Sequence, residues 1–539
     1  MKRLRAWAMG MTAGAVALSA GSARADQVIP FDGTVEKAGL DHVFIDFDVP
    51  AGTKEIAIAH DDLSSTDILD WGLDGPNGFR GWGGGNAEDA VASELAASRS
   101  YLAGPITPGK WRIVIGKAKI TGASVNYHIV VTLRTAPTLP PQPERKAYAP
   151  GAPLARDARW YAGDLHAHSI ESGDARPPIE ELVTYARSRG LDFVELSDHN
   201  TVSQLDFIDA VQQGHADILI LPGVEYTTYA GHANGIGATA WVDHKIGQPG
   251  VDIASAARQF HAQKALFSIN HPVYDLGNLC IGCAWKYDLP ADAIDGAEIA
   301  TAGTNALFGP ATLAFWDSLC DGGRHIAAVG GSDDHSAGQN EGTFSTPLGT
   351  PATYVFASDL SVASILQGIR DGRTVVKIGG VADPMVELTS DAPLDRDNVR
   401  GQSATLHAKI TGGAGLTARW VKNGKPQDPV DVTADPFDMT LAVTAPAHGQ
   451  ERYRVEVLRD GAPTTVTSHV WTGEPPDAGA PPAASDAGPT AGDAGAVNGG
   501  AASAGGGCAL APGASSGSWL AMIIAVFVAA RAAGRLRRK

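Results

Sequence analysis

Cysteine is scarce: 4 residues in a chain of 539. So few thiols cannot staple a protein of this length, so burial of apolar side chains, with or without metal, must hold it together. Apolar residues make up 44% of the sequence, far too few for a polytopic membrane protein, and 19% charged residues is too low for a disordered polyelectrolyte. Positive charge is also short, with 42 Lys and Arg against 59 Asp and Glu and a net charge of -17. Residues 1–25 hold four of those bases (Lys2, Arg3, Arg5, Arg24) and the stretch from Cys508 holds five (Arg531, Arg535, Arg537, Arg538, Lys539), neither with an acid. The body between them therefore has 33 bases against 59 acids, a net of -26. Such a body repels a phosphate backbone, which argues against nucleic acid as a partner.

The two ends read as targeting segments. Lys2 to Arg5 is basic, Ala6 to Ala20 is apolar and small, and Ala23-Arg24-Ala25 has the form of a cleavage site, so residues 1–25 read as a secretory signal peptide cut after Ala25. An N-terminal membrane anchor is the alternative, but the run is short for the roughly 20 residues of a span. Residues 473–507 are almost wholly Ala, Gly, Pro, Asp and Ser and read as a disordered stalk. Residues 508–539 add Cys508, an apolar helical segment from Trp519 to Ala530 and a basic end, an arrangement that keeps the body outside the cytoplasm. This tail resembles the MYXO-CTERM sorting signals. The resemblance implies recognition by export and sorting machinery, processing near Cys508 and a membrane tether at the cell surface or outer envelope. A permanent tail anchor is the alternative.

Between the ends lie three folded regions. Residues 26–135 alternate apolar and polar, as in His42 to Val49 and Trp111 to Ile115, and read as a β-sandwich. A Pro-rich linker, 136–157, follows. Residues 382–472 read as a small Ig-like β-sandwich. In 158–381, strand-like runs (Trp160 to His166, Leu191 to Leu196, Ile218 to Val224, Leu266 to Ile269, Gly296 to Ile299, His325 to Val329, Thr374 to Ile378) alternate with helix-like ones (Pro178 to Arg189, Val251 to Lys264, Ala311 to Leu319, Ser361 to Arg370). Repeated β-then-α units predict an α/β barrel of the TIM type or a distorted relative.

Ten of the 16 histidines fall between His166 and His335. His166 and His168 sit two apart, hence on one side of a strand, where both reach one ion. Glu195 to Asn200, Glu225, His271 and Asp333 to His335 follow later strands, with His232 in the segment after Glu225. In a parallel barrel these strand ends meet at one face, and buried imidazoles and carboxylates in such number are costly unless cations compensate them. Nitrogen and oxygen donors without thiolate suit zinc, manganese or iron.

These motifs, His166-x-His168, Ser197-Asp198-His199-Asn200, Gly223-Val224-Glu225, His232, Asn270-His271-Pro272 and Ser332-Asp333-x-His335, resemble those of the PHP (polymerase and histidinol phosphatase) metallohydrolases, in the family's order. An exported chain with a leading β-sandwich looks most like the CehA/McbA branch. The resemblance implies a PHP-type distorted (β/α)7 barrel and two or three divalent metal ions. One ion would be held by His166, His168, Glu225 and Asp333, with Glu225 bridging to a second held by His232 and His271. A third would use His199 and His335. The family's Ser-Asp-Gly is here Ser172-Gly173-Asp174, so Asp174 would serve one position late.

The expected chemistry is hydrolysis by a hydroxide bridging the metals, with Asp198, His199 or His335 as proton donor. Asp198 is equally a candidate turn cap. The substrate is expected to be a small-molecule ester, first a phosphate ester, then a carbamate or carboxylic ester. A surface binding protein with structural metals is the reading from another class. Lys245 and Lys377 are candidate anion contacts or solvated side chains. His215, His244, His261 and His325 read as surface or structural. Cys280 and Cys283, or one of them with Cys320, are disulfide candidates, and no cofactor other than metal is expected.

Overall fold

The computed structural model describes residues 25–475 apart from 278–279, 291–292, 302–304 and 340–345. The expected leader before Ala25, the tail with Cys508 and all but the first residues of the stalk lie outside the described residues. Among the described residues no helix is long and apolar enough to cross a membrane.

Two four-stranded antiparallel sheets form the N-terminal region. One runs in the order Gln27–Glu36, Ser124–Arg134, Glu55–Asp61, Ala90–Ser93, and the other His42–Val49, Gly109–Lys119, Ile68–Gly75, Gly78–Gly84. Alternation drives the packing: Trp111, Ile113 and Ile115 are buried while Arg112 on the opposite face is exposed. They meet Ile56, Leu69, Trp71 and Ile129 in one core. Side chains of this size contribute about 1.5–3 kcal/mol each when fully buried.

The central region departs from the expected closed (β/α)7 barrel. Its strands form two five-stranded mixed runs. The first has the order Leu219–Pro222, Phe193–Leu196, Arg159–Asp164, Ala352–Ala357, Thr374–Lys377. The second has the order Glu225–Thr228, Gly231–Ile236, Leu266–Ile269, Gly296–Thr301, Ala327–Gly331. The departure has a local cause. Only Tyr229 and Ala230 separate Thr228 from Gly231, so these strands close as an antiparallel hairpin, whereas a parallel pair needs a crossover of a dozen or more residues. Ala352–Ala357, antiparallel to both of its neighbours, and helix Leu205–Gln212 were also not anticipated. Isolated parallel bridges, Ala167 to Asp334 and His199 to Glu225, join the segments that leave the strand ends.

At its C-terminal side the central region shares a sheet with the last one. Thr374–Lys377 pairs antiparallel with Ala462–Thr467, so the boundary expected near residue 381 is crossed by continuous backbone hydrogen bonding. A three-stranded sheet, Met385–Ser390, Ser403–Thr411 and Phe437–Thr444, completes that region over a core of Leu406, Ile410, Trp420, Val455 and Val457. Charge also crosses the junction: Asp317, on helix Asn305–Cys320, lies 2.6 Å from Arg454, which is 2.9 Å from Glu456.

Candidate metal centre

Strands deliver the side chains in order. Arg159–Asp164 ends just before His166 and His168, Phe193–Leu196 before His199, Leu266–Ile269 before His271 and Ala327–Gly331 before Asp333 and His335. Glu225 and His232 sit on the two strands of the hairpin, Glu225 opposite Asn234 and His232 opposite Thr227. Close approach of the first and last of these segments needs Gly331, because a Cβ there would lie 2.7 Å from the His166 backbone nitrogen. His271 and Asp333 have φ of 27° and 57°, left-handed values that a non-glycine residue holds only where its surroundings enforce them.

Glu225 is the hub. Its Oε1 is 3.3 Å from His166 Nε2, from His232 Nδ1 and from His271 Nε2, and its Oε2 is 3.9 Å from His168 Nε2 and 2.6 Å from His199 Nδ1. Asp333 Oδ1 lies 3.3 Å from His166 Nε2 and 3.1 Å from His168 Nε2. Further out, His199 Nε2 and His335 Nε2 are 3.4 Å apart, with Asp174 Oδ2 at 3.4 and 3.6 Å from them. Donor atoms about 2.0–2.2 Å from a tetrahedral ion stand roughly 3.3–3.6 Å from one another, close to most of these spacings, whereas the 2.6 Å contact of His199 with Glu225 is a direct hydrogen bond.

Carboxylate and carbonyl acceptors set the tautomers of three of these rings, and hydroxyls meet two more. His166 Nδ1 donates to Glu298 Oε1 at 2.8 Å, His335 Nδ1 to the Asp333 carbonyl at 2.9 Å and His232 Nε2 to the Ile281 carbonyl at 3.2 Å. His168 Nδ1 is 2.9 Å from Ser172 Oγ, and His199 Nδ1 is 2.8 Å from Thr227 Oγ1. In the neutral rings, His166 Nε2 and His232 Nδ1 thus turn lone pairs toward Glu225. His166 Nε2, His168 Nε2 and His232 Nδ1, which face Glu225 or Asp333, are buried and have no hydrogen-bond partner; His271 meets Glu225 through Nε2, and its other nitrogen, Nδ1, is also buried without a partner. Buried acceptors left facing one another in this way are costly, and divalent cations remove the cost.

The charge states follow from these contacts. Burial acts to raise Glu225 and Asp333, but the surrounding imidazoles, His166 foremost, hold both well below the usual carboxylate range. His168 is pushed down to about 3 by burial and by His335 and His199, which keeps it neutral. His335 is pushed the other way: burial lowers it, yet Asp174 carries it up to about 9.

All the candidate ligands, His166, His168, Asp174, His199, Glu225, His232, His271, Asp333 and His335, thus gather in one cluster. Asp198 does not share its geometry. Its oxygens accept from Ser169 N at 2.7 Å and Ser169 Oγ at 2.8 Å, so it holds the turn after His168, and burial raises it to about 7. Cys280 and Cys283 are disulfide-bonded, whereas Cys320 is free and buried, which removes it from the disulfide candidates. Lys245 and Lys377 are buried rather than solvated: Lys245 pairs with Asp243 at 2.8 Å and Lys377 donates to the Val381 carbonyl at 3.2 Å. His215, His261 and His325 each bond a carboxylate at 2.7 Å (Glu180, Asp295 and Asp397), and His244 packs edge-on against Trp82.

Sequence reasoning missed Glu298. Its Oε1 accepts from His166, while its Oε2 accepts from the His271 backbone N–H at 2.7 Å and Thr301 Oγ1 at 2.6 Å. The signal was there: a carboxylate inside the apolar strand Gly296–Thr301, every residue of which is buried. The N-terminal sandwich also supports the site. Ser100 N donates to Glu171 Oε2 at 2.9 Å and Ser100 Oγ to the Glu171 carbonyl at 2.7 Å, fixing the turn between His168 and Asp174.

No family model matches the chain, and no curated protein does. Among solved structures it is similar to a two-domain protein containing a predicted PHP-like metal-dependent phosphoesterase from Bacteroides vulgatus ATCC 8482, at 19% identity and TM-score 0.35, covering 60% of this chain and 100% of that one. It is also similar to a candidate metal-dependent phosphoesterase from Bifidobacterium adolescentis ATCC 15703, at 14% identity and TM-score 0.25, covering 34% and 91%. A third likeness, at 21% identity and TM-score 0.13, is to the CARDB domain of a Pyrococcus furiosus protein in complex with di-metal ions, covering 17% and 93%. At these TM-scores the likenesses decide neither fold nor chemistry.

Proposed function

We propose that the chain is a metal-dependent hydrolase of small-molecule esters, with phosphate esters as the first substrate class. The observation that carries this reading is the set of three partnerless buried imidazole nitrogens, on His166, His168 and His232, that face the ionised Glu225 and Asp333, with His271 Nε2 beside them. His166, His168, Glu225 and Asp333 would hold one divalent ion, and Glu225, His232 and His271 would hold a second. When bound, such ions activate water as a nucleophile near neutral pH and stabilise negative charge as it develops on the substrate.

The residues of the chain do the rest. Glu298 and Ser172 orient His166 and His168, Asn270 Nδ2 donates to Glu225 Oε1 at 2.9 Å, and the sandwich holds the Glu171 turn in place. His199 and His335, whose side chains are 19% and 31% exposed, are the imidazoles that reach the surface of the cluster. They hold a proton at Nε2 for the leaving group, or close a third ion subsite with Asp174. Phosphate is favoured because two divalent ions would balance the charge of Asp174, Glu225, Glu298 and Asp333, and a third would reverse it. Export and a surface tether, argued from residues 1–25 and 473–539, complete the proposal.

Metal analysis of the purified chain, followed by hydrolysis assays on panels of phosphate, carbamate and carboxylic esters, tests it. Turnover that needs bound metal and is lost in His166→Ala supports the reading, and the panel that turns over names the ester class. Bound metal with no turnover on any panel makes the chain a binding protein with structural metals.

A further inference from the structure

Cys280 and Cys283 lie beside the second ion subsite. A nitrogen of His232, a nitrogen of His271 and the two sulfurs all stand within 4.8 Å of one another. The loop is held there by its own sequence. Gly282 has φ of 82°, and a Cβ on it would come within 2.3 Å of the Thr228 carbonyl, so only glycine lets the Cys-Ile-Gly-Cys turn press onto the hairpin that carries His232. The same contact lets the Ile281 carbonyl accept from His232 Nε2. Cys283 is buried, Cys280 is half-buried, and a cleft lined by Lys119, Tyr274, Ile281 and Lys286 opens beside them.

We infer that this pair is a redox-controlled part of the metal centre: as a dithiol it joins His232 and His271 in a four-ligand His2Cys2 zinc site, and as a disulfide it withdraws. The inference rests on His232 and His271 being ligands. In the disulfide form the second ion has His232, His271 and Glu225 and keeps an open position, as a catalytic ion requires. In the dithiol form two nitrogens and two thiolates satisfy a tetrahedral zinc ion with no open position, the pattern of a structural site. A dithiol donor supplies the electrons. Its thiolate attacks Sγ of Cys280 and frees Cys283, and its second thiol resolves the mixed disulfide. The donor leaves as a disulfide, two electrons have passed, and two protons leave the cysteines as zinc binds.

The test uses the full folded chain, as isolated and after reduction with dithiothreitol removed under anaerobic conditions. Each form is loaded with cobalt(II) for absorption spectra and titrated with zinc against a chelator. The inference expects sulfur-to-cobalt charge-transfer absorption in the reduced form alone, and zinc affinity at the second subsite at least about tenfold tighter after reduction. Both changes should vanish in the Cys280→Ser/Cys283→Ser double variant, which retains Cys320 and Cys508 as internal controls. Metal bound equally in both forms without charge transfer overturns this inference and leaves the hydrolase reading intact. Charge transfer that survives in the double variant also overturns it, by placing the thiolate elsewhere. Failure of both forms to bind metal overturns both readings.

Discussion

Glu298→Gln tests whether the metal centre is organised as described. The carboxylate accepts three hydrogen bonds, from His166 Nδ1 at 2.8 Å, the His271 backbone N–H at 2.7 Å and Thr301 Oγ1 at 2.6 Å. Glutamine keeps the size but has one oxygen, and its NH2 group cannot accept. Either His166 loses its acceptor or the His271 and Thr301 donors lose theirs. A hydrogen bond to a charged buried acceptor is worth about 1.5–3 kcal/mol, which corresponds to roughly 10–100-fold in an equilibrium constant. That agrees with the usual cost of removing a partner that orients a metal ligand. Zinc or manganese affinity, measured by chelator competition, is therefore expected to fall about 10–100-fold. Thermal unfolding of metal-free protein separates this from a folding defect. Affinity within about twofold of the parent in a folded variant would refute the claim that Glu298 orients His166 and His271.

Three further substitutions probe other parts of the argument. Gly331→Ala drives a Cβ to within 2.7 Å of the His166 backbone and should cost about 1–3 kcal/mol in unfolding free energy with at least tenfold weaker metal binding; a neutral result would show that the strand ends are not so tightly apposed. Asp198→Asn keeps one acceptor for Ser169, so it should destabilise by about 1–2 kcal/mol and lower turnover no more than about tenfold; a loss above about a thousandfold would return Asp198 to the catalytic set. Asp317→Asn should cost about 2–4 kcal/mol, read by denaturant unfolding, because Arg454 then loses one of its two acidic partners and keeps Glu456. Burial acts to raise Asp317, but His469 and Arg454 hold it well below the usual range. A depressed acid contributes stability that is complete above its unfolded value of about 4 and is lost as pH falls further. The parent should therefore lose stability below about pH 4 more steeply than Asp317→Asn, and parallel acid profiles would sink this assignment.

Sequence alone determined which residues could form the centre. Two histidines at spacing two, and acids and histidines just beyond apolar runs, mark strand ends whatever the strand order, because side-chain direction in a strand is a local property. Closure was not local. The barrel expectation failed at Thr228 to Gly231, where two residues turn the chain back on itself, and at Ala352–Ala357, whose antiparallel pairing depends on a partner nearly 200 residues away. The tertiary structure also decided roles that identity left open. It gave Asp198 to Ser169, put Glu298 behind both His166 and His271, and brought Cys280 and Cys283 beside the histidines of the second subsite. Residue type sets what a side chain can donate or accept, but which group meets it across 30 to 130 positions is set by packing alone.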